Sequence, residues 1–154
     1  MADAGDKIPD IAMETPEGGT IRPSQYEGEK LVLFFYPRDN TPGCTTEAKD
    51  FSALKDEFLK AGTALLGVSK DSAKKHQNFI AKHDLTVNLA TDAEEDGLSD
   101  ALGIWCEKKM YGKTFMGMVR TTVLVDRDGT IAKIWPKVKV KDHASEVLAA
   151  AQAL

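Results

Sequence analysis

The sequence predicts an α/β fold: a mixed β-sheet with helices packed on it. Three observations carry this reading. Strand-like and helix-like patterns alternate from residue 30 onward, one strand pattern is apolar on both faces, and the last two strand patterns flank a tight turn. Alternation implies parallel strands joined by helical crossovers, and a late hairpin adds antiparallel ones. The 154 residues suit a single domain spanning 1–154.

Each element follows from its residues. Pro9, Pro16, Gly18, Gly19, Pro23 and Gly28 predict irregular backbone over residues 1–29, with a short hairpin around Glu17-Gly18-Gly19. Lys30 to Tyr36 reads as a central strand buried on both faces, ended by Pro37. Ala48, Phe51, Leu54 and Phe58 recur at helical spacing, with Gly62 as C-cap. Thr63 to Ser69 is a second strand. Asp71 to His83 reads as a helix with Phe79 and Ile80 inward and Ser69 or Asp71 as cap. Val87 to Ala90 predicts a short strand, and Asp92 to Leu102 a short helix despite Gly97. Val119 to Val125 and Thr130 to Trp135 flank Asp126-Arg127-Asp128-Gly129, a hairpin signal. Lys137, Lys139 and Lys141 alternate with Val138 and Val140, as in a strand with one wet face. The tail from Asp142 to about Ala151, with Val147 and Leu148 at core spacing, predicts a closing helix.

Composition narrows the function. Apolar residues make up 42% and charged residues 29%, which fits a folded protein. A net charge of −4 argues against nucleic-acid binding driven by bulk charge. The longest apolar run, Leu31 to Tyr36, is far short of the roughly 20 residues that cross a bilayer, so no membrane association is expected. Met1-Ala2-Asp3-Ala4-Gly5-Asp6-Lys7 has neither the basic nor the apolar region of a secretory signal. Cys44 and Cys106 are too few for a disulfide scaffold or a typical zinc ribbon, which points to free thiols in a reducing cytoplasm. Sulfur can then matter only through reactivity.

The informative segment is Tyr36-Pro37-Arg38-Asp39-Asn40-Thr41-Pro42-Gly43-Cys44-Thr45-Thr46-Glu47, between a buried strand and an amphipathic helix. In open α/β sheets the carboxyl end of a strand is where ligand crevices form. Thr41 suits the N-cap and Pro42 the first helical position, which puts Cys44 in the first turn. Free N–H groups and the positive end of the helix dipole there favour a thiolate. The residues alone leave two readings of Cys44, an activated thiol or a small buried hydrophobe.

Pro37-x-x-x-Thr41-x-x-Cys44 matches the Pro-x-x-x-Thr/Ser-x-x-Cys signature of peroxiredoxins, and the chain resembles their bacterioferritin comigratory protein, or Q-type, subgroup. Gly67-Val68-Ser69-Lys70-Asp71-Ser72, Met110-Tyr111-Gly112-Lys113, Arg120 through Asp126 and Val138 through His143 are similar to segments of that subgroup. The resemblance implies a thioredoxin-like three-layer fold and a thiol peroxidase for hydrogen peroxide or small organic hydroperoxides. It implies no cofactor and no metal, re-reduction by thioredoxin or a similar thiol, and a cytoplasmic monomer. By position, Cys44 would be the nucleophile that becomes a sulfenic acid. Thr41 would hydrogen-bond thiolate and peroxide, Pro37 would shield the site from solvent, and Arg120 would hold the thiolate and the peroxide oxygen. Glu47 reads either as orienting Arg120 or as a solvated helix charge.

One departure has consequences. Many members of the subgroup carry a second cysteine five residues after the first, where this chain has Lys49. Either Cys106 resolves the sulfenic acid or an external thiol does, and the second route is the expectation; slow resolution exposes Cys44 to over-oxidation. Two other functional readings remain at this level: a noncatalytic redox-responsive binding module or holdase, and an acyl hydrolase that would need His143 as base beside Cys44. His76 and His83, seven apart, share a helix face but lack a third metal ligand. Trp135, Phe34 and Phe35 read as core. Trp105, Met110, Tyr111, Phe115 and Met116 form either an apolar lip at the crevice or loop packing.

Overall fold

A computed structural model describes residues 2–154; Met1, the first residue of the amino-terminal stretch read above, lies outside them. Strands β1 (Met13–Glu14) and β2 (Thr20–Ile21) form the short hairpin expected around Gly18. Strand β3 (Lys30–Phe35) runs parallel to β4 (Thr63–Ser69) and antiparallel to β8 (Thr121–Val125). With β5 (Asn88–Thr91) and β9 (Ile131–Trp135) these make a seven-stranded mixed sheet in the order β2-β1-β5-β4-β3-β8-β9.

The period-2 geometry of β3 splits its apolar residues between two faces. Val32, Phe34 and Tyr36 point into one cluster with Cys44, Ala48 and Phe51 of α1 (Pro42–Ala53), Phe58 of α2 (Lys55–Lys60), Phe79 of α3 (Ala73–His83) and Val147 of α5 (His143–Ala153). Leu31, Leu33 and Phe35 point the other way, against Leu98 of α4 (Leu98–Ala101), Leu102, Ile104 and amino-terminal residues such as Ile8 and Ile11. The result is three layers, the second helical layer being thin. Burying each Leu or Phe contributes about 1.5–3 kcal/mol, so β3 is the most firmly anchored element, and the segment that leaves its end inherits a fixed origin. Gly67 on β4 makes the packing possible, since a Cβ there would lie 2.6 Å from Phe34 Cζ and 2.7 Å from Leu89 Cδ2.

Several boundaries differ from the sequence reading. The helix running to Gly62 is interrupted at Leu54, where Ser52 Oγ accepts from the Thr86 N–H and Lys55 Nζ donates to Thr86 O. That tether comes from a loop more than thirty residues away, so local periodicity cannot register it. Ser72, not Ser69 or Asp71, caps α3, accepting from the Lys75 N–H at 3.2 Å. The helix expected over Asp92 to Leu102 shrinks to α4 because Asp92 turns back to accept from the Leu98 and Ser99 N–H groups. Residues read as loop are a second sheet, β6 (Trp105–Met110) paired with β7 (Lys113–Met118) through a two-residue turn. Tyr111 and Gly112 both have positive φ (52° and 75°), the geometry that matches strand twist in a tight hairpin. Lys137 to Lys141 keep alternating exposure but belong to no strand.

Candidate active site

The loop from Tyr36 to Thr41 leaves the carboxyl end of β3 and turns into α1 through Asn40, which is left-handed at φ 61°. Thr41 has the extended backbone of an N-cap (φ −85°, ψ 152°) and Pro42 opens the helix, as expected. Its hydroxyl does not cap. It donates to Arg38 O at 2.8 Å, so it stiffens the loop and leaves the helix end electropositive. Cys44, the third helical residue, is buried at 1% exposure.

Arg120 arrives from the short connection between β7 and β8. Its Nη2 donates to Cys44 Sγ at 3.3 Å and its Nη1 donates to Glu47 Oε1 at 2.8 Å. Cys44 and Glu47 are three apart on α1, hence on one face, and a planar guanidinium can meet both. Gly43 allows the approach, because a Cβ there would sit 3.1 Å from Arg120 Nη2. The main chain of Arg120 is held too, its carbonyl accepting from the Val138 N–H at 2.9 Å.

Three potentially charged groups therefore share a largely buried space. Burial pushes the Glu47 carboxyl up to about 7, only partly offset by Arg120, and its second oxygen is buried without a partner. Burial opposes the charge on Arg120, but Glu47 and Cys44 outweigh it and its pKa rises. The Glu47 shift has a consequence for stability. Its unfolded carboxyl titrates near 4.5 and its folded one near 7, so between those pH values only the folded state holds the proton. Stability contributed by the neutral acid is full below pH 4.5 and is lost as pH rises through about 7, by at most about 3 kcal/mol. Urea midpoints at about pH 5 and about pH 8 should show a smaller drop for Glu47→Gln than for wild type; an equal drop would assign the dependence elsewhere.

The remaining residues of interest are spread more widely. Pro37 is exposed on the loop rim. Cys106 lies on β6 opposite Gly117, partly exposed, and both cysteines are free thiols. Lys49 is exposed on α1. His143 faces inward: Nε2 lies 2.8 Å from Thr122 Oγ1, and the ring packs edge-on to Phe51 and Trp135. Met110, Tyr111, Phe115 and Met116 are exposed along the β6–β7 hairpin. Sequence reasoning missed Gly43, whose role needs the position of a residue far along the chain. It also missed Asp39, whose partners Asp71 and His76 lie more than thirty residues away.

Similarity to known proteins extends over most of the chain. The AhpC/TSA family matches residues 4–134. The chain is 45% identical to peroxiredoxin Bcp of Bacillus subtilis (strain 168) over 144 residues, 94% of this chain and 91% of that protein. A solved structure of the Xanthomonas campestris bacterioferritin comigratory protein, studied for its alkyl peroxide reduction activity, superposes with a TM-score of 0.88 at 41% identity, covering 96% of this chain and 98% of that one. A structure of Xanthomonas campestris peroxiredoxin Q gives a TM-score of 0.90 at 44% identity, covering 99% and 98%.

Proposed function

This chain belongs to the AhpC/TSA family and is a thiol peroxidase, and from that premise we propose that Cys44 is its nucleophile, with Arg120 and Thr41 as its partners in the reaction. The Cys44 thiolate attacks one peroxide oxygen and forms an S–O bond as the O–O bond breaks. The electron pair leaves with the other oxygen as hydroxide or alkoxide, which takes a proton from water to become water or an alcohol. Sulfur is oxidised to a sulfenic acid and the peroxide is reduced.

The observation that carries this reading is the 3.3 Å contact from Arg120 Nη2 to Cys44 Sγ. A fixed guanidinium beside the attacking sulfur also faces the oxygen on which charge develops, and it needs no reorganisation as the bond breaks. Thr41 has its proton committed to Arg38 O, which leaves its oxygen free to accept from the peroxide O–H. Glu47 sets the plane of the guanidinium, and Pro37 stands at the rim as a shield against water.

The same reading assigns resolution to an external thiol, such as thioredoxin, in a reducing cytoplasm. Its sulfur displaces the sulfenic hydroxyl as water, and a second thiol releases Cys44. Lys49 occupies the helical position of a resolving cysteine, and Cys106 lies on a strand of the separate β6–β7 sheet, both of which favour this route. Intact-mass measurement after one equivalent of peroxide tests it. A gain of one oxygen on Cys44 is expected, and a loss of two hydrogens, the mark of a Cys44–Cys106 disulfide, would overturn the external route.

A further inference from the structure

The two histidines of α3 have no part in this chemistry, yet both touch the loop that carries it. His76 is fully buried, with Nδ1 at 2.7 Å from Asp39 Oδ2 and Nε2 at 3.1 Å from Ala90 O. A carbonyl only accepts, so Nε2 is the donor to Ala90 O, and Nδ1 faces the carboxylate. Tyr36 Oη donates to the other Asp39 oxygen at 2.6 Å, and the Asp39 N–H donates to Asp71 Oδ2 at 2.8 Å. Burial and the adjacent Asp39 charge raise the Tyr36 pKa well above its usual value, which keeps the phenol a donor. Two turns later, His83 Nε2 lies 3.1 Å from Asn40 Oδ1, and Asn40 is the left-handed residue before Thr41. The seven-residue spacing thus lands on consecutive loop residues.

We propose that α3 is a clamp on the active-site loop: His76 through Asp39, and His83 through Asn40, are positioning residues that hold Thr41 and Cys44 in the arrangement that reacts with peroxide. The proposal rests on the assignment of Cys44 as nucleophile. Arg38 O, the acceptor for the Thr41 hydroxyl, immediately precedes the clamped residues, so a loosened clamp misplaces that hydroxyl directly. Misplacement by about 1 Å in a preorganised site can cost on the order of 100-fold in rate. Reduction of the sulfenic acid makes the opposite demand. Cys44 is 1% exposed, so on this proposal a thiol, bulkier than a peroxide, needs the loop and the first turn of α1 to give way before it meets the sulfur. Clamping therefore favours oxidation and opposes re-reduction.

The two half-reactions can be timed separately in stopped-flow mixing, first reduced protein with hydrogen peroxide, then the sulfenic acid with dithiothreitol. Asp39→Asn keeps the side-chain shape, and His83→Ala, at a partly exposed position, covers the case in which Asp39→Asn does not fold. Expected is a loss of about 10-fold or more in the peroxide rate constant with re-reduction unchanged or faster. Amide exchange should quicken over residues 38–45 and stay slow in β3 and β4. Oxidation that slows no more than re-reduction, in a folded variant, overturns the clamp. If wild type itself forms no sulfenic acid on Cys44, the nucleophile assignment fails instead.

Discussion

Cys44→Ser should consume hydrogen peroxide at least about 10⁴-fold more slowly than wild type while folding normally. Removing a catalytic nucleophile typically has effects of that order. Serine fits the space, but its hydroxyl stays protonated at neutral pH, so no anion attacks the O–O bond. Cys106 remains in the variant and sets the residual rate. It sits on the β6–β7 sheet, whereas Arg120 is directed at residue 44 and at Glu47. Peroxide decay followed directly, with dithiothreitol as reductant, measures the difference. Wild-type speed in Cys44→Ser would remove Cys44 from the reaction.

Arg120→Ala should lower the peroxide rate constant by about 10²–10³-fold, the size seen when one preorganised donor to a developing oxyanion is deleted. Arg120→Lys should recover part of it, since an ammonium restores charge but cannot bind Sγ and Glu47 through one planar group. Alanine also strands the Glu47 carboxyl, which is 1% exposed, so stability should fall alongside the rate. The double variant Arg120→Ala, Glu47→Gln separates the two effects: melting temperature should return toward wild type and the rate should not. A rate that recovers with stability would mean that Arg120 serves only the fold.

Local chemistry made much of this molecule readable in advance. The buried β3, the hairpin at Asp126–Gly129, the Thr41–Pro42 helix start and Cys44 in the first turn all follow from short-range rules of sterics and capping. Arg120 was readable only through resemblance, because the antiparallel pairing that brings β8 beside β3 leaves no mark on residues 36–47. The β6–β7 sheet escaped because its exposed face mixes Met, Tyr and Lys without a clean alternation; Tyr111-Gly112 was the one turn signal present. In the sequence, the seven-residue spacing of His76 and His83 suggests at most an incomplete metal pair. What the spacing addressed was a carboxylate and an amide on a distant loop. Asp71, expected as a helix cap, is instead bound to the Asp39 N–H and the Ser69 hydroxyl, part of that same tether.

The guanidinium that partners the sulfur lies 76 residues further along the chain. During synthesis, Cys44 leaves the ribosome well before Arg120 has been translated, and even then the two meet only once β8 has zipped onto β3. A nascent or misfolded copy therefore carries the thiol without its electrostatic partner, and it should react with oxidant more slowly than a molecule that has finished folding.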